Sequence, residues 1–224
     1  MTQDPLSTSV FNPLPVAVWV LVLAIGAVEL VLWAGSHGLV NWAGSAGWRV
    51  QALVTYGISP EVQGWMLETR QFPPEHLIRY LAYGFVHLGP AQAALVVVIT
   101  VALGKYCTER LGSLRMLAIL ALAQALGGFA FGLVAASGTW LIGGYALIFA
   151  LAGTYAGLVW SGAEGRRARI GALVLVGVLL SGRIGLAMLM GGGADWVADL
   201  VACAAGYALG HVLRPGVLAR LRRV

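Results

Sequence analysis

"LIGGYALIFALAG" occupies residues 141–153. It is apolar, and its small residues are spaced as a closely packed membrane helix requires. Yet Tyr145 stands directly after Gly143 and Gly144 and before Ala146, a bulky aromatic among glycine and alanine. The reason for it lies in the spans on either side.

The chain of 224 residues is 59% hydrophobic and only 10% charged, with a mean hydropathy of +0.85. A soluble domain carries about 25% charged residues, so this composition implies an all-α integral membrane protein. Apolar runs of about 20 residues, the length that crosses a bilayer as helix, recur along the chain. The expected spans are Leu14 to Trp33, Pro90 to Tyr106, Leu114 to Ala136, Ile142 to Trp160, Ile170 to Leu189 and Trp196 to Leu213. The cuts between them, "KYCTERLGS", "ASGTW", "SGAEGRRAR" and "GGGAD", carry the polar residues and glycines expected at helix ends. The implied organisation is a short segment 1–13, one six-helix membrane domain 14–213 and a basic tail 214–224. The N-terminus lacks the basic region and cleavage site of a signal peptide, so the first span is expected to be retained.

The net charge of +5 would suit a nucleic-acid partner, but the basic residues fall in short connections, where they set orientation. No nucleic-acid partner is expected. Lys105, Arg110 and Arg115, then Arg166, Arg167 and Arg169, then Arg214, Arg220, Arg222 and Arg223 lie on one side of a six-span path. The positive-inside rule makes that side, with both termini, cytoplasmic. Trp33, Trp42, Trp48, Trp65, Trp140 and Trp196 then fall near the outer interface. The first outer connection, 34–89, is far longer than the others and carries "VQALVTYGI" and "HLIRYLAYGFVHL". Helices lying in the interface are expected there. Cys107 and Cys203 show neither disulfide nor metal spacing. The four histidines, His37, His76, His87 and His211, form no ligand set by spacing. No metal and no cofactor are expected.

"RYLAYGFVHLGPAQAALV" (79–96), "LGKYCTERLGS" (103–113), "GGYALIFALAG" (143–153) and "DWVADLVACAAG" (195–206) resemble, in order and spacing, the landmarks of rhomboid intramembrane serine proteases, from about Arg79 to Gly210. The resemblance implies a six-transmembrane-helix rhomboid-like bundle with a long interfacial loop between its first two helices. In active rhomboids the fourth helix begins with a Gly-x-Ser-Gly-type turn bearing the nucleophile, and the sixth carries a histidine base. A serine hydroxyl is a poor nucleophile until a base takes its proton. Aligned without gaps, the nucleophile position is Tyr145, followed by Ala146 in place of glycine, and the base position is Asp199, with Asp195 before it and Ala202 and Gly206 after. The family's oxyanion donors, a histidine and an asparagine, fall on Gln92 and Val96. One lost oxyanion donor costs on the order of a hundredfold in rate, and here nucleophile and base are replaced too. The phenol of Tyr145, with an ordinary pKa of about 10, is a weak substitute. Arg79, His87, Gly104, Arg110, Gly112, Gly143, Ala150 and Gly153 match scaffold positions, whereas Thr108 fills a slot that is usually acidic, with Glu109 next.

Charges inside a bilayer cost about 2.5–3.5 kcal/mol on insertion scales and are functional candidates by default. Glu29, Arg183 and Asp199 qualify. Arg183 and Asp199 fall in the outward halves of adjacent spans, so an ion pair joined by the Tyr145 hydroxyl is expected, acting as helix glue or as a polar socket for a client helix. Glu29 is placed to reach headgroups or the long connection. His87 is read as a structural histidine, and Ser137, Ser161 and Ser181 as packing residues. Ala146, Ala150, Gly153 and Gly157 on the fourth span and Ala202, Gly206 and Gly210 on the sixth form facing small-residue ridges.

The implied work is non-catalytic binding of transmembrane segments of other membrane proteins, in assembly, quality control or regulation, from a bacterial-type inner membrane. Inactive rhomboids and derlins offer the resemblance, and "GWR" (47–49) echoes a derlin motif. Two alternatives stand beside it: a structural accessory subunit of a larger membrane complex, and a residual intramembrane endopeptidase using Tyr145 with Asp199.

Overall fold

The computed structural model describes residues 13–40, 42–162, 165–189 and 193–214. The segment before residue 13 and the tail beyond Arg214, with Arg220, Arg222 and Arg223, lie outside the described residues. Six long helices correspond to the expected spans: α1 (Val16–Ser36), α6 (Pro90–Leu111), α7 (Ser113–Val134), α8 (Tyr145–Ser161), α9 (Arg166–Leu189) and α10 (Asp195–Val212). The connection between α1 and α6 is itself helical, with α2 (Trp48–Tyr56), α3 (Pro60–Thr69), α4 (Pro74–Leu77), α5 (Arg79–Ala82) and 3₁₀ turns at Ser45–Gly47 and Tyr83–Phe85. Among the described residues the only β pairing is one antiparallel bridge, Ile58 with Leu141.

Four of the helices, α1, α6, α7 and α9, are long and apolar enough to cross a membrane. The apolar α8 has 17 residues, and α10 has 18, with Asp195 and Asp199 in its first half. Both lie near the short end of the spanning range of about 17–25 residues. The boundaries differ from the sequence reading in instructive ways. The second span does not stop at Tyr106 but runs through "CTER" to Leu111. Only Gly112, at φ +82°, breaks the chain between α6 and α7, because a left-handed backbone is accessible to glycine at little steric cost. Thr108 tolerates burial there by donating its hydroxyl to the Gly104 carbonyl at 2.7 Å. The fourth span starts at Tyr145 and not at Ile142, since Gly143 at φ +102° turns the chain before the helix begins. Arg166, Arg167 and Arg169 lie in the first turn of α9 and not in a loop.

α8 is the centre of the bundle: thirteen of its residues, from Ala146 to Val159, are buried. Its neighbour α10 approaches until backbones touch. A Cβ on Gly153 would fall 2.0 Å from the Cys203 carbonyl oxygen, one on Gly206 2.2 Å from that of Ala150, and one on Gly157 2.3 Å from that of Tyr207. Gly210 lies against Thr154, and Gly127 brings α7 against Ala198 and Ala202 of α10. Helix association in lipid gains little from the hydrophobic effect, so this close backbone contact is what holds the helices together. α9 is the opposite case, with Ala172 its only buried residue and open space around Gly171, Gly177, Gly182 and Gly185.

The long connection is fastened at both ends and in its middle. Gly35 of α1 leaves room for Trp48, whose ring would lie 2.7 Å from an added Cβ. That places Arg49 against α1, where its guanidinium makes a two-pronged pair with Glu29 at 2.7 and 3.1 Å and donates to the His87 carbonyl. Glu29, buried inside α1, is thus neutralised by the long connection. Arg79 donates to the carbonyls of Val54 (2.8 Å) and Gly57 (2.9 Å), which satisfies the C-terminal end of α2. Gln63 donates to Phe129 of α7 and accepts from the Tyr80 hydroxyl. The Tyr83 hydroxyl donates to the Gln124 carbonyl, and the Gln124 amide to that of Leu81.

His87 is fully buried. Its Nδ1 faces the Phe85 carbonyl at 3.1 Å and therefore carries the proton, leaving Nε2 without a partner among the described residues. Burial pulls this imidazole below its usual 6.5, with Glu29 opposing. Because the folded pKa is the lower one, the unfolded chain takes up the extra proton, and stability is lost as pH falls below about 6.5. The unfolding midpoint in detergent is expected to drop between pH 7.5 and pH 5, and His87→Asn to flatten that dependence. Separately, Gly153→Ala and Gly206→Ala are each expected to destabilise by about 1–3 kcal/mol or more through overpacking, whereas Gly177→Ala in α9 is expected to be neutral or stabilising. Thermal unfolding of the four variants checks both statements.

Candidate functional site

The site lies at the end of the bundle that carries the long connection, where α6, α8, α9 and α10 converge. The turn before α8 is held from below by the Gly143 N–H, which donates to the Tyr83 carbonyl at 2.9 Å. It is crowded from α6: a Cβ at Gly143 would fall 2.4 Å from Gln92 Nε2, and one at Gly144 2.6 Å from a Val96 methyl. The two positions assigned by resemblance to oxyanion donors therefore do face the turn. Val96, fully buried, offers that turn only methyl groups. Gln92 uses its carbonyl oxygen to accept the Leu88 N–H at 2.9 Å.

Tyr145 opens α8 and Asp199 lies one turn into α10. Arg183 reaches between them from α9. Its Nε donates to Asp199 Oδ2 at 2.8 Å and its Nη2 to Asp195 Oδ2 at 3.4 Å. The guanidinium carbon stands 4.6 Å from the centre of the Tyr145 ring, a cation over a π face. Side-chain exposure falls from 41% at Asp195 to 15% at Arg183 and 1% at Asp199, so the strongest contact is also the driest. Tyr145 thus joins the cluster through its ring; among the described residues its hydroxyl makes no hydrogen bond to Asp199, contrary to the sequence expectation. The residues are brought together because α10 is pressed onto α8 by glycine contacts and Arg183 ties α9 to both aspartates of α10.

Below the cluster a cleft of about 210 Å³ opens between α6 and α9. Leu95, Ile99, Phe149, Leu179 and Leu186 supply its apolar walls, and Tyr145 and Arg183 its polar end. In chemical terms the site offers a cation already engaged, an acceptor already engaged, and an apolar slot beside them.

Sequence reasoning placed Glu29 near the long connection but missed its partner. The signal was present: an intramembrane carboxylate demands a cation, and Arg49 is the first lysine or arginine after it. Also missed was Ser36, whose hydroxyl lies 3.2 Å from His37 Nδ1. This pair sits on the exposed end of α1, away from the cleft. Both groups face the Trp33 carbonyl at 2.9 Å, so Nδ1 carries the hydrogen and is not a base toward that serine. Ser161 and Ser181 donate to backbone carbonyls one turn back in their own helices. His211 stacks on Tyr207 and His76 meets the Trp65 edge. Among the described residues no three metal-ligating side chains gather.

Removing Arg183 leaves Asp199 buried without its cation, which costs about 3–5 kcal/mol, whereas removing Asp199 leaves Arg183 its longer contact with Asp195. Arg183→Leu is therefore expected to be strongly destabilising, Asp199→Leu less so, and the double variant less than their sum, with a coupling of about 1 kcal/mol or more. Unfolding in detergent of the full double-mutant cycle measures it.

No curated protein matches the chain. The rhomboid domain matches residues 74–216, which takes in the close of the long connection, the crowded turn, the cleft and the Arg183–Asp199 pair. Together with the four membrane-length helices, that match makes this chain a multi-pass integral membrane protein that belongs to the rhomboid family.

Proposed function

We propose that this rhomboid-family protein is not a protease, and that it binds transmembrane segments of other membrane proteins. The observation that carries the reading is Arg183: its guanidinium covers the Tyr145 ring and holds Asp199 at 2.8 Å, at the two positions where the family places nucleophile and base. A tyrosine without a base is not activated, and a carboxylate tied to arginine is not free to accept its proton. Around the turn Val96 supplies only methyls in place of one oxyanion donor, while Gln92, its oxygen held by the Leu88 N–H, turns its amide N–H2 toward Gly143. The neighbouring apolar cleft is open along the membrane face between α6 and α9, and α9 packs loosely. A slot of this size takes one or two apolar side chains of a helix that lies against the bundle from the lipid. The same reading places the protein in a bacterial-type inner membrane with both termini cytoplasmic, supported by the basic residues at the end of the bundle away from the long connection.

A fluorophosphonate probe and a panel of transmembrane substrates test the first half of the reading. The wild type is expected to stay unlabelled and to cleave nothing; labelling that disappears in Tyr145→Phe would overturn it. Photocrosslinkers on α9 facing α6, and in the long connection, test the second half. Several membrane proteins captured through their spanning segments are expected, while one partner at fixed stoichiometry would point instead to a structural subunit.

A further inference from the structure

The polar end of the cleft between α6 and α9 consists of two side chains, Arg183 and Tyr145; every other residue that lines it is aliphatic, aromatic or glycine. Neither aspartate of α10 lines it. Arg183 spends Nε and Nη2 on those aspartates, which uses one edge of the guanidinium. The remaining nitrogen, Nη1, carries two further N–H donors, and among the described residues nothing accepts from it. The Tyr145 hydroxyl is in the same state: its ring packs against the guanidinium, while among the described residues the O–H has no hydrogen-bond partner.

The unmet groups are donors, so what complements them is an acceptor oxygen. Lysine and arginine bring only further donors, and a like charge against Arg183, the one charged group that lines the cleft. A guest carboxylate accepts, but Asp195 and Asp199 already set two negative charges against one positive, and both oppose a third in a site of low dielectric. Serine and threonine hydroxyls in a helix turn back on their own chain, as Thr108, Thr154 and Ser161 do here by donating to carbonyls one turn earlier. A side-chain amide meets none of these objections: it is uncharged, and its carbonyl oxygen accepts through two lone pairs.

We infer that the transmembrane segment received at this cleft carries a glutamine or asparagine level with Arg183 and Tyr145, and that its amide oxygen accepts from Nη1 of the guanidinium and from the phenol. The inference rests on the client-binding reading above and names the class of client. Residues three or four apart share one face of a helix. An apolar residue one turn from the amide, about 5.4 Å along the axis, therefore enters the slot between Leu95, Phe149 and Leu179 while the amide meets the polar end. Arg183 is then shared between the bundle and its guest, one edge holding α10 and the other the client.

The test uses the full-length protein in lipid nanodiscs and fluorescent leucine–alanine guest helices of spanning length, dilute enough to stay monomeric. The guests differ only at one position level with Arg183, occupied by glutamine, leucine, glutamate or lysine. The glutamine guest is expected to bind about fivefold more tightly than the leucine guest, the size of a polar contact between helices in lipid, and the glutamate and lysine guests more weakly than the glutamine guest. Tyr145→Phe keeps the ring against the guanidinium and removes the hydroxyl; Arg183→Lys keeps a charge beside Asp199 and removes the planar fork of donors. Each is expected to lower the ratio of glutamine to leucine affinity, and the two together to bring it to one. Equal binding of the glutamine and leucine guests to the wild type, tighter binding of the glutamate or lysine guest than of glutamine, or a ratio that neither variant changes overturns the inference while leaving client binding intact. Failure of every guest to bind overturns the client-binding reading itself.

Discussion

The contact on which the rest depends is that between α8 and α10. Gly153, Gly157, Gly206 and Gly210 let the two backbones meet directly, so that dispersion between main chains replaces the hydrophobic effect that lipid cannot supply. Because α8 is enclosed, its first residue is placed with little freedom. Because α10 lies against it, the carboxylate at position 199 is held inside the bundle and must find a cation. Arg183 is that cation, and it brings α9 with it.

This order of cause explains the uneven attachment of α9. Its apolar side chains face outward, with Ala172 alone buried, while Arg183 makes two ion pairs and a ring contact. The helix is held at two places, by packing of Ala168, Ala172 and Val176 on α8 near its start and by Arg183 near its end. Stability differs along a structure, and elements with few buried contacts open first. The cleft between α6 and α9 lies between these two attachments, past the packed cluster that includes Tyr106 and Ala172 and beside the Arg183 end.

At the same end of the bundle the long connection uses a different means of attachment. Its short helices bury few residues, so polar side chains hold it: Arg79, Gln63 and Gln124 by bonds to backbone carbonyls of α2, α7 and the connection, and Arg49 by its ion pair with Glu29. An intramembrane glutamate that would otherwise be costly becomes the anchor of the connection. Gly84 and Gly132 permit this by leaving space that the Gln124 and Gln63 amides fill.

Much of the fold was legible in the residues alone. Hydropathy located six helices, because a bilayer imposes one length on all of them. Glycine and alanine spacing on the fourth and sixth spans marked the surfaces that meet, because close approach in lipid needs small residues. That positions 145 and 199 hold a tyrosine and an aspartate is a plain property of the sequence; that they stand where the family places nucleophile and base is what the resemblance implies. Two charged residues in adjacent spans indicated that Arg183 and Asp199 would face each other, for a buried charge has few alternatives. What the tertiary structure decided is whatever depends on direction across space. Tyr145 meets Arg183 with its ring and not its hydroxyl, Glu29 takes Arg49 as its partner from twenty residues away, and α6 continues to Gly112 where local polarity suggested an end. Periodicity and composition report which residues are buried, but the orientation of a side chain and the identity of its partner are fixed only when the helices that carry them are packed.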